Sequence, residues 1–546
     1  MELAFDAGSC SKKTITHTGN FVSYKDLLHF STLTVNPLSM KKNIPYLLAW
    51  LCLALCFACK KTIPEKLLAK DAYLAKGANA ANEVNFTIET FTNPLIPRGA
   101  DPWVAQKNGM YYFTYTQGSK LVLYKTSSMT ELALATSYDA WIPPQGMPYS
   151  KNIWAPELHE IDNKWYFYFA ADNGSNANHR MYVVENSSAD PTQGTWVLKG
   201  KVADSTDQWA IDGTVFKYNG QMYMLWSGGN AGAAPQRIYI AQMSNPWTIT
   251  SAKVAISSPT YSWEMNGNAI NEGPQALINS DGRLFIVYSG SGYWVDTYCL
   301  GLLSLNLNGD PMNPADWVKT SNPVFSMNAD SGAFGPGHNG FFKSPDGTED
   351  WIIYHARSAA GGGARNARIQ KFTWNADGTP DFGVPVKIGS PVQKPSGEPV
   401  RKMYTKENWS IAGFSSEELN NSRLAIRLID DDPTTPWIAR YSAPATNYPD
   451  HWITVDMGDS LPVDGLVFIQ KTGDRKIKEL QVLVGNDNQT WEDLGTITLL
   501  DLYPNKQYFN LPARKQFRYF KLVPISGLDS QPQPGLAEAG AFILDN

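Results

Sequence analysis

The chain has 546 residues, of which 12% are aromatic and 18% charged, and its formal net charge at pH 7 is −5. That length predicts two or three compact domains, and the charge offers neither a basic surface for nucleic acid nor an acidic tail. The 43 Gly, 35 Pro and 18 Trp favour many short strands and turns over long helices. We therefore expect a mostly β protein that binds a neutral, polar ligand and no nucleic acid.

The N-terminal region has the layout of a targeting signal. A pair of lysines precedes an apolar run at 44–58, which ends at Cys59. The run is too short for a membrane helix and fits a signal peptide. We expect Met40 to be the true initiator, residues 1–59 to form the leader and residues 60–92 to form a tether.

The cysteines bear on where the protein resides. Ala58-Cys59 resembles a lipoprotein cleavage site, at which a lipid on Cys59 would anchor the protein to a bacterial membrane; cleavage without lipidation is the alternative. Cys299 is the one cysteine after the leader, so we expect no disulfide framework. The prediction is a secreted protein or a membrane-anchored lipoprotein of a bacterium, in the periplasm or at the cell surface.

Five segments share one pattern: a polar opening residue, about six mostly apolar residues, a turn at Gly or at an Asn/Asp pair, and an aromatic strand. These segments are 101–115, 157–170, 212–226, 272–288 and 338–355. Their openings are 55 to 66 residues apart. A repeat of this length with short strands is typical of a propeller blade. We therefore predict an all-β fold in which residues 93–390 form a five-bladed β-propeller.

The opening residues of the repeats are candidates for a functional site. They are Asp101, Glu157, Asp212, Glu272 and His338. A single Asp-Pro or Asp-Gly is usually only a turn, but the first strand of every blade lines the propeller axis, so five openings in register predict converging side chains. Crowded carboxylates raise one another's pKa values, which favours acid–base chemistry. Loops rich in Gly and Asn after the second strands predict a pocket there.

At these openings the sequence resembles glycoside hydrolase family 43. Ala100-Asp101-Pro102, Ile211-Asp212-Gly213 and Asn271-Glu272-Gly273-Pro274 match the family's three catalytic carboxylates in blades one, three and four. The resemblance implies that Asp101 is the general base, that Glu272 is the general acid, and that Asp212 orients this acid and keeps its pKa raised. Inverting hydrolysis needs the acid and base carboxyls about 6.5–9.5 Å apart, a separation that opposed blades can supply.

The same resemblance implies residues that bind substrate or metal. Trp154 would stack on a sugar ring, with a core tryptophan as the alternative, and Glu157 would bind a hydroxyl. His355 and Arg357 end the second strand of the fifth blade, where an arginine reaches the substrate in many relatives. His338 stands where relatives place a histidine near an axial calcium ion; a plain hydrogen-bonding histidine is the alternative. The chemistry itself needs no cofactor, and a structural Ca²⁺ at the axis is the metal implied.

The C-terminal region predicts a second domain. Residues 391–400 lack periodicity and predict a linker, and residues 401–546 predict an antiparallel β-sandwich. Its strands are expected at 452–457, 466–470, 480–485 and 519–523. Residues 430–437 and 452–458 resemble the discoidin or F5/8 type C family, which implies a discoidin-like jelly roll that binds carbohydrate; a purely structural role is the alternative.

The sequence thus favours a glycoside hydrolase that removes terminal sugars from plant polysaccharide side chains with inversion. An α-L-arabinofuranosidase is the main hypothesis, and a β-xylosidase acting on xylan or an exo-galactosidase stays open because sugar identity depends on loop shape. A propeller lectin that binds glycans without cleaving them is the alternative from another class, although a lectin needs no paired acid and base. We expect deletion after about Val400 to spare the turnover of small substrates.

Overall fold

The computed structural model describes residues 85–230, 232–442, 447–448 and 450–544. The predicted leader, its start at Met40, the lipid site at Cys59 and most of the tether lie outside the described residues. Within the described ranges no helix is long and apolar enough to cross a membrane. The helical elements of these ranges are short 3-10 turns, η1 (Met129–Leu134), η2 (Asn176–Asn178), η3 (Ser262–Glu264), η4 (Pro314–Asp316), η5 (Asn420–Ser422) and η6 (Ala425–Ile429).

Two short strands, β1 (Phe86–Ile88) and β2 (Thr90–Phe91), precede five antiparallel sheets that follow one another along the chain. Their strands are β3 (Trp103–Lys107), β4 (Met110–Thr114), β5 (Leu121–Thr126) and β6 (Thr136–Trp141) in blade I; β7 (Lys151–Ile161), β8 (Lys164–Asp172), β9 (Arg180–Asn186) and β10 (Val197–Val202) in blade II; β11 (Ala210–Tyr218), β12 (Gln221–Asn230), β13 (Ala233–Asn245), β14 (Thr248–Ile249) and β15 (Val254–Ser257) in blade III; β16 (Asn271–Ile278), β17 (Leu284–Gly290), β18 (Cys299–Leu305) and β19 (Trp317–Lys319) in blade IV; and β20 (Phe334–Lys343), β21 (Asp350–Arg357), β22 (Asn366–Trp374) and β23 (Pro380–Asp381) in blade V. The strands of each blade are hydrogen-bonded in chain order, except that β15 of blade III pairs with β13. This confirms the predicted five-bladed β-propeller.

Three blades open with the same tight hairpin. The two turn residues have φ values of 52° and 73° at Asn108-Gly109, 51° and 63° at Asp162-Asn163, and 48° and 80° at Asn219-Gly220. The flanking residues pair directly across each turn. A two-residue turn with both φ angles positive matches the twist of the strands that it joins. The Asn, Asp and Gly pairs in the sequence therefore set the register of these hairpins.

The second strand of a blade is buried on both faces, because each blade packs between two neighbours. In β8, Trp165, Phe167 and Phe169 pack with blade I, whereas Tyr166 and Tyr168 pack with blade III. Successive side chains of a strand point to opposite faces, so both sets contribute to a core. Full burial of one phenylalanine side chain stabilises the fold by about 1.5–3 kcal/mol. This packing explains why the aromatic strands of the repeats show no alternation with polar residues.

Side-chain amides close the ring between blades I and V. The Asn93 side chain donates to the Ile369 carbonyl at 2.8 Å and accepts from the Ile369 N–H at 3.0 Å. Gln106 does the same with Lys343, at 2.6 Å and 2.8 Å. Each amide thus satisfies one donor and one acceptor of the other blade's backbone. The first and last blades are held together although they are not paired as one sheet.

The chain after β24 (Val392–Gln393) forms an antiparallel sheet domain. Its strands are β25 (Arg401–Tyr404), β26 (Ser410–Phe414), β27 (Trp437–Ile438), β28 (Ile453–Ile469), β29 (Ile477–Gly485), β30 (Glu492–Thr498), β31 (Lys506–Gly527), β32 (Gly535–Leu536) and β33 (Glu538–Leu544). The main sheet has the order β1-β25-β33-β28-β31-β29-β30, with β26 on β28, and β27 pairs with β32. One hydrophobic core underlies it. The strands predicted at 452–457 and 466–470 are parts of one strand, β28, whose pairing with β31 shifts register between them.

Residues 85–92, at the end of the predicted tether, and residues 391–400, the predicted linker, are packed against the rest of the described chain. Strand β1 pairs with β25 and so extends the C-terminal sheet, while β2 pairs with β24. The side chains of Lys394 and Glu398, inside the predicted linker, are 2% and 0% exposed. These residues lack periodicity because they form buried polar contacts, which leave no hydrophobic pattern to read.

A buried ion-pair network joins the propeller to the C-terminal sheet. Lys394 Nζ lies 3.2 Å from Glu89 Oε2 and 3.4 Å from Glu131 Oε1. Arg401 Nη1 lies 2.5 Å from the same Glu131 oxygen, and its guanidinium covers the Tyr508 ring at 3.6 Å. Burial would raise the pKa of Glu89, but Lys394 and Arg401 outweigh burial and lower that pKa. Three segments that are distant in sequence therefore share one set of charges.

Candidate active site

A residue with left-handed backbone stands at the opening of every blade. The φ angles are 56° at Asp101, 43° at Ala155, 55° at Asp212, 55° at Gly273 and 47° at His338. In blades II to V the pairing of the first two strands shifts register at this point. A β-bulge redirects a side chain, and positive φ outside glycine is uncommon enough to mark a functional site. The same left-handed backbone at all five openings is therefore the feature that directs the opening side chains toward the predicted site.

Asp101 is a buried carboxylate held in its ionised form. Arg365 Nη1 donates to Oδ1 at 2.7 Å, and the Thr116 hydroxyl donates to Oδ2 at 2.7 Å. The Nδ1 atom of His338 lies 3.4 Å from Oδ1. Burial would raise the pKa of Asp101, but Arg365 above all, with His338 and the Thr116 hydroxyl, holds it well below its usual value. A carboxylate in this state can accept a proton from water.

Glu272 is the opposite case, a buried carboxyl that favours its protonated form. Burial raises its pKa most, and the negative charge of Asp101 raises it further. The Tyr298 hydroxyl donates to Oε1 at 2.8 Å and, with Arg365, lowers the pKa by less. The net pKa is above the usual value of a glutamate. Glu272 can therefore hold a proton under conditions in which Asp101 has lost its own.

Asp212 lies beside the acid and contacts its backbone. The N–H of Gly273, the residue after Glu272, donates to Asp212 Oδ2 at 3.0 Å. Burial, Glu272 and Asp101 raise the pKa of Asp212, against a lowering effect of His338. The sequence assigned the raised pKa of Glu272 to Asp212, whereas burial is its first cause. The structure adds a positioning role, because Asp212 accepts from the Gly273 N–H and so holds the strand that carries Glu272 in place.

His355 contacts the backbone of Asp101. The Asp101 N–H donates to His355 Nδ1 at 3.1 Å, so that nitrogen carries no proton and the ring is neutral. Burial and the nearby Arg365 lower the pKa of His355 well below its usual value, in agreement with this tautomer. The side chain is 0% exposed. The contact of His355 with substrate stays a prediction; in this structure the buried ring contacts and positions the Asp101 backbone.

Glu157 and Trp154 occupy different positions from those that the sequence implied. Ala155 takes the repeated opening position, and Glu157 lies two residues further along the strand, 3% exposed. Its two oxygens meet Gln275 Nε2 at 2.5 Å and His159 Nε2 at 2.9 Å. The indole of Trp154 stacks on His179 with ring centres 4.1 Å apart. Glu157 is thus occupied by protein partners, and one face of Trp154 is covered.

Arg357 holds a loop rather than the carboxyls. Its Nη2 lies 2.8 Å from Asp296 Oδ1, and its Nη1 donates to the Tyr293 carbonyl at 3.3 Å. Tyr293 and its neighbour Trp294 are 44% and 49% exposed. Arg365, which contacts Asp101, also lies over the Tyr293 ring at 4.5 Å. The arginine at the base is therefore Arg365, and Arg357 supports an exposed aromatic pair next to it.

The surroundings of His338 do not fit a calcium cage. Calcium takes six to eight oxygen ligands, and the described residues contain no group of three or more His, Cys, Asp or Glu side chains that could hold a metal ion. The His338 ring packs against Gly273, where an added Cβ would lie 3.2 Å from Nδ1. The oxygens of the nearby Asp101 already accept from Arg365 and Thr116. No step of the chemistry is therefore assigned to calcium.

Sequence reasoning missed three residues that contact the carboxyls: Thr116, Tyr298 and Arg365. Thr116 follows the second strand of blade I, whereas Tyr298 and Arg365 directly precede the third strands of blades IV and V. These positions lie in the loops that the sequence predicted to wall the pocket. Arg365 comes soon after a run of three glycines, and that run is the one local signal for it.

The site thus combines a carboxyl of lowered pKa on blade I with a carboxyl of raised pKa on blade IV. One can activate water and the other can protonate a departing oxygen, the two functions that inverting glycoside hydrolysis requires. The third carboxyl, on blade III, contacts the backbone of the acid. All three are less than 9% exposed. A buried, water-poor setting strengthens their electrostatic effects on a bound substrate.

Residues 91–380 match the family described as glycosyl hydrolases family 43, and residues 412–538 match the F5/8 type C domain. The extracellular exo-α-(1→5)-L-arabinofuranosidase of Streptomyces avermitilis is 41% identical over 312 residues, which cover 55% of this chain and 64% of that protein. Alpha-L-arabinofuranosidase 43 of Humicola insolens is 38% identical over 330 residues, which cover 58% of this chain and 67% of that protein.

Among solved structures, the α-L-arabinofuranosidase from Lactobacillus brevis aligns with a TM-score of 0.52 at 36% identity, covering 55% of this chain and 98% of that one. The chain spans about two thirds of the length of the curated relatives named above. The family match covers more than half of the chain and includes all three carboxyls. This chain is a member of glycosyl hydrolase family 43 with a C-terminal F5/8 type C domain.

Proposed function

We propose that this protein is an exo-acting α-L-arabinofuranosidase that releases terminal L-arabinofuranose from plant polysaccharide side chains with inversion. The observation that carries the proposal is a pair of buried carboxyls whose pKa values are shifted in opposite directions, that of Asp101 lowered mainly by Arg365 and that of Glu272 raised mainly by burial. The sugar is inferred from relatives of 36–41% identity that are named arabinofuranosidases. Hydrolysis in this family inverts the anomeric centre and needs no cofactor.

In this mechanism Asp101 takes a proton from water as the water attacks the anomeric carbon. Glu272 gives its proton to the glycosidic oxygen as the bond to the leaving group breaks. Arg365 and Thr116 keep Asp101 ionised and in place. Asp212 holds the backbone of the acid through the Gly273 N–H. The general acid and the general base each contribute about 10²–10⁴-fold to such a reaction.

The test uses aryl glycosides of arabinofuranose, xylopyranose and galactopyranose. We expect turnover of the α-L-arabinofuranoside to exceed that of the other two, and proton NMR to show the inverted sugar as the first product. Faster release of xylose or galactose would replace the proposed substrate. First release of the retained anomer would remove the role given to Asp101, and absence of turnover on any glycoside would favour a glycan-binding propeller.

We also infer that the protein works outside the cytoplasm, because two relatives are named extracellular enzymes. A lipid anchor at Cys59 on a bacterial membrane is the finer form of this proposal. Mass spectrometry of the mature N-terminus would show a diacylglycerol on Cys59 if the anchor exists. The C-terminal domain is proposed to bind the polysaccharide, which its F5/8 type C match supports.

A further inference from the structure

A cavity of about 790 Å³ lies between the propeller and the C-terminal sheet. The propeller side is formed by β2 and η1, and the other side by β25, β28 and β33 with the turn that leads into β31. None of the residues around the three carboxyls lines it. Pockets of about 300–1,000 Å³ are the usual size for small-molecule sites. The cavity is therefore large enough for a ligand and separate from the active site.

Most charges in this cavity are already paired. Lys394 is paired with Glu89 and Glu131. Lys406 contacts both Glu538 and Asp431. Burial raises the pKa of Glu538 to about 8, so this carboxyl holds a proton at neutral pH. The paired groups leave a lining that carries little net charge.

Several polar side chains that line the cavity form no hydrogen bond to another protein group in the described ranges. Among the described residues, Lys506 donates no side-chain hydrogen bond and forms no ion pair, and burial lowers the pKa of its ammonium group. Threonine hydroxyls without a protein hydrogen bond in the described ranges also line the cavity: Thr87, Thr90, Thr92 and Thr405. An unpartnered donor in such a place costs free energy unless a ligand or water satisfies it. The set combines one strong donor with several groups that both donate and accept.

We propose that this cavity binds a short, neutral oligosaccharide, held by Lys506 and the threonine hydroxyls. Sugar hydroxyls can accept from an ammonium group and exchange hydrogen bonds with threonine. An anionic ligand fits less well, because Glu89 and Asp431 already offset the charge of Lys506 and an anion would lie beside them. Apolar side chains such as Phe91, Leu134, Met403 and Val467 provide surface for the carbon faces of the rings. The site would hold a second segment of polysaccharide where the two domains meet.

The experiment measures binding to the full chain carrying Glu272→Gln, which stops hydrolysis. The probes are α-1,5-linked arabinotriose, xylotriose and, as an anionic probe, trigalacturonate. Calorimetry should show a neutral-sugar site that Lys506→Met weakens by tenfold or more. Lys478→Met is the matched control, because Lys478 lies exposed on β29 and outside the cavity lining. The Lys478→Met variant should bind the neutral trisaccharides with unchanged affinity and stoichiometry.

A second measurement covers the case in which Lys506→Met alters folding. Crystals soaked in the neutral trisaccharides should show a sugar within hydrogen-bond distance of Lys506 Nζ. An unchanged site after Lys506→Met, an empty cavity in the soaked crystal, or binding of trigalacturonate alone would each overturn the proposal. The outcome is independent of the proposed catalytic function, because aryl arabinofuranoside turnover by the unmodified chain reports that function separately.

Discussion

At the scale of single residues, the protonation states of two carboxyls decide the chemistry. Asp101 and Glu272 are both buried, yet one has a lowered pKa and the other a raised pKa. Burial alone would raise both. The difference comes from Arg365, which donates to Asp101 at 2.7 Å and lowers the pKa of Glu272 only weakly. The position of the Arg365 guanidinium thus makes the pKa of the base lower than the pKa of the acid.

Glu272→Gln and Asp101→Asn should therefore fail in different ways. A glycoside with an acidic phenol as leaving group needs little protonation, so Glu272→Gln should keep far more activity on it than on a natural linkage. Asp101→Asn should be poor on both, because water still lacks its base. The losses on the natural linkage should be about 10²–10⁴-fold, measured as kcat/KM. Equal losses of Glu272→Gln on both substrates would show that the roles are misassigned.

Arg365→Met should move the pH profile of kcat/KM to higher pH on both limbs. The acid limb follows the pKa of the base, because activity falls as pH drops through it and Asp101 gains a proton. Without Arg365 that pKa rises, so the acid limb moves up. The alkaline limb follows the pKa of Glu272, already above its ordinary ~4.3, and Arg365 also lowers this pKa. Activity would then persist to higher pH before Glu272 loses its proton.

Arg283→Met is the control for the pH profile, because Arg283 lies in the first turn of blade IV and donates to the Asp377 carbonyl. Both limbs of the pH profile of Arg283→Met should lie at the same pH as in the unmodified protein. If Arg365→Met lowers the rate without moving either limb, Arg365 contacts substrate but does not set the state of Asp101.

At the scale of elements, a residue with left-handed backbone stands at the opening of each blade, and in blades II to V it coincides with a register shift. The same left-handed residue recurs in five blades, as Asp101, Ala155, Asp212, Gly273 and His338. In blade IV the left-handed residue is Gly273, and the acid Glu272 lies one residue before it. In blade III the left-handed residue is the carboxyl Asp212 itself. The carboxyl is thus the left-handed residue itself in blades I and III and its preceding neighbour in blade IV.

Gly273→Ala should lower kcat/KM by about tenfold or more, equivalent to about 1.4 kcal/mol. The residue has a φ of 55°, and a new Cβ would lie 3.2–3.4 Å from the His338 ring. Gly282→Ala is the matched control, because Gly282 has a φ of 78° and nothing within 4 Å of an added Cβ. Both variants pay the left-handed cost of roughly 1–2 kcal/mol, so their stabilities, measured in urea, should fall together. Equal activities would show that the site tolerates movement of the acid.

At the scale of the whole molecule, the two domains share a buried junction. The N-terminal strand β1 belongs to the C-terminal sheet, and Glu89, Lys394 and Arg401 connect the parts that a cut after Val400 would separate. Deletion there would leave Lys394 and Glu89 without Arg401 and its sheet. We therefore expect the truncated propeller to be less stable than the full chain, while the retained turnover of small substrates stays a prediction.

Lys394→Met should destabilise the protein by about 3–5 kcal/mol, because it leaves a buried carboxylate without its partner. Urea denaturation followed by tryptophan fluorescence measures the change. Lys371→Met is the control: its pair with Glu349 is 51% exposed on the lysine side, and such surface pairs contribute about 0–1 kcal/mol. A small loss for Lys394→Met would mean that Arg401 and Tyr508 satisfy Glu89 without it.

The five blades and the identity of the three carboxyls could be predicted because both are local. A blade repeats its apolar strand and its Asn or Gly turn within about sixty residues, and Asp101, Asp212 and Glu272 stand at one phase of that repeat. The left-handed bulge acts on the residues at that phase, so pattern and geometry coincide. The same reasoning misplaced Glu157, because the bulge in blade II falls on Ala155.

Only the tertiary structure decided which side chains set the charge of those carboxyls and where the domains end. Arg365 and Asp101 are 264 residues apart, and Lys394 and Glu89 are 305 residues apart. No periodic pattern links such positions, because a hydrogen bond between chain-distant groups depends on how blades close into a ring. The packing of residues 85–92 and 391–400 could not be predicted for the same reason: polar side chains such as Glu89 and Lys394 are buried against partners far away in sequence, and a sequence pattern shows polarity but not its partner.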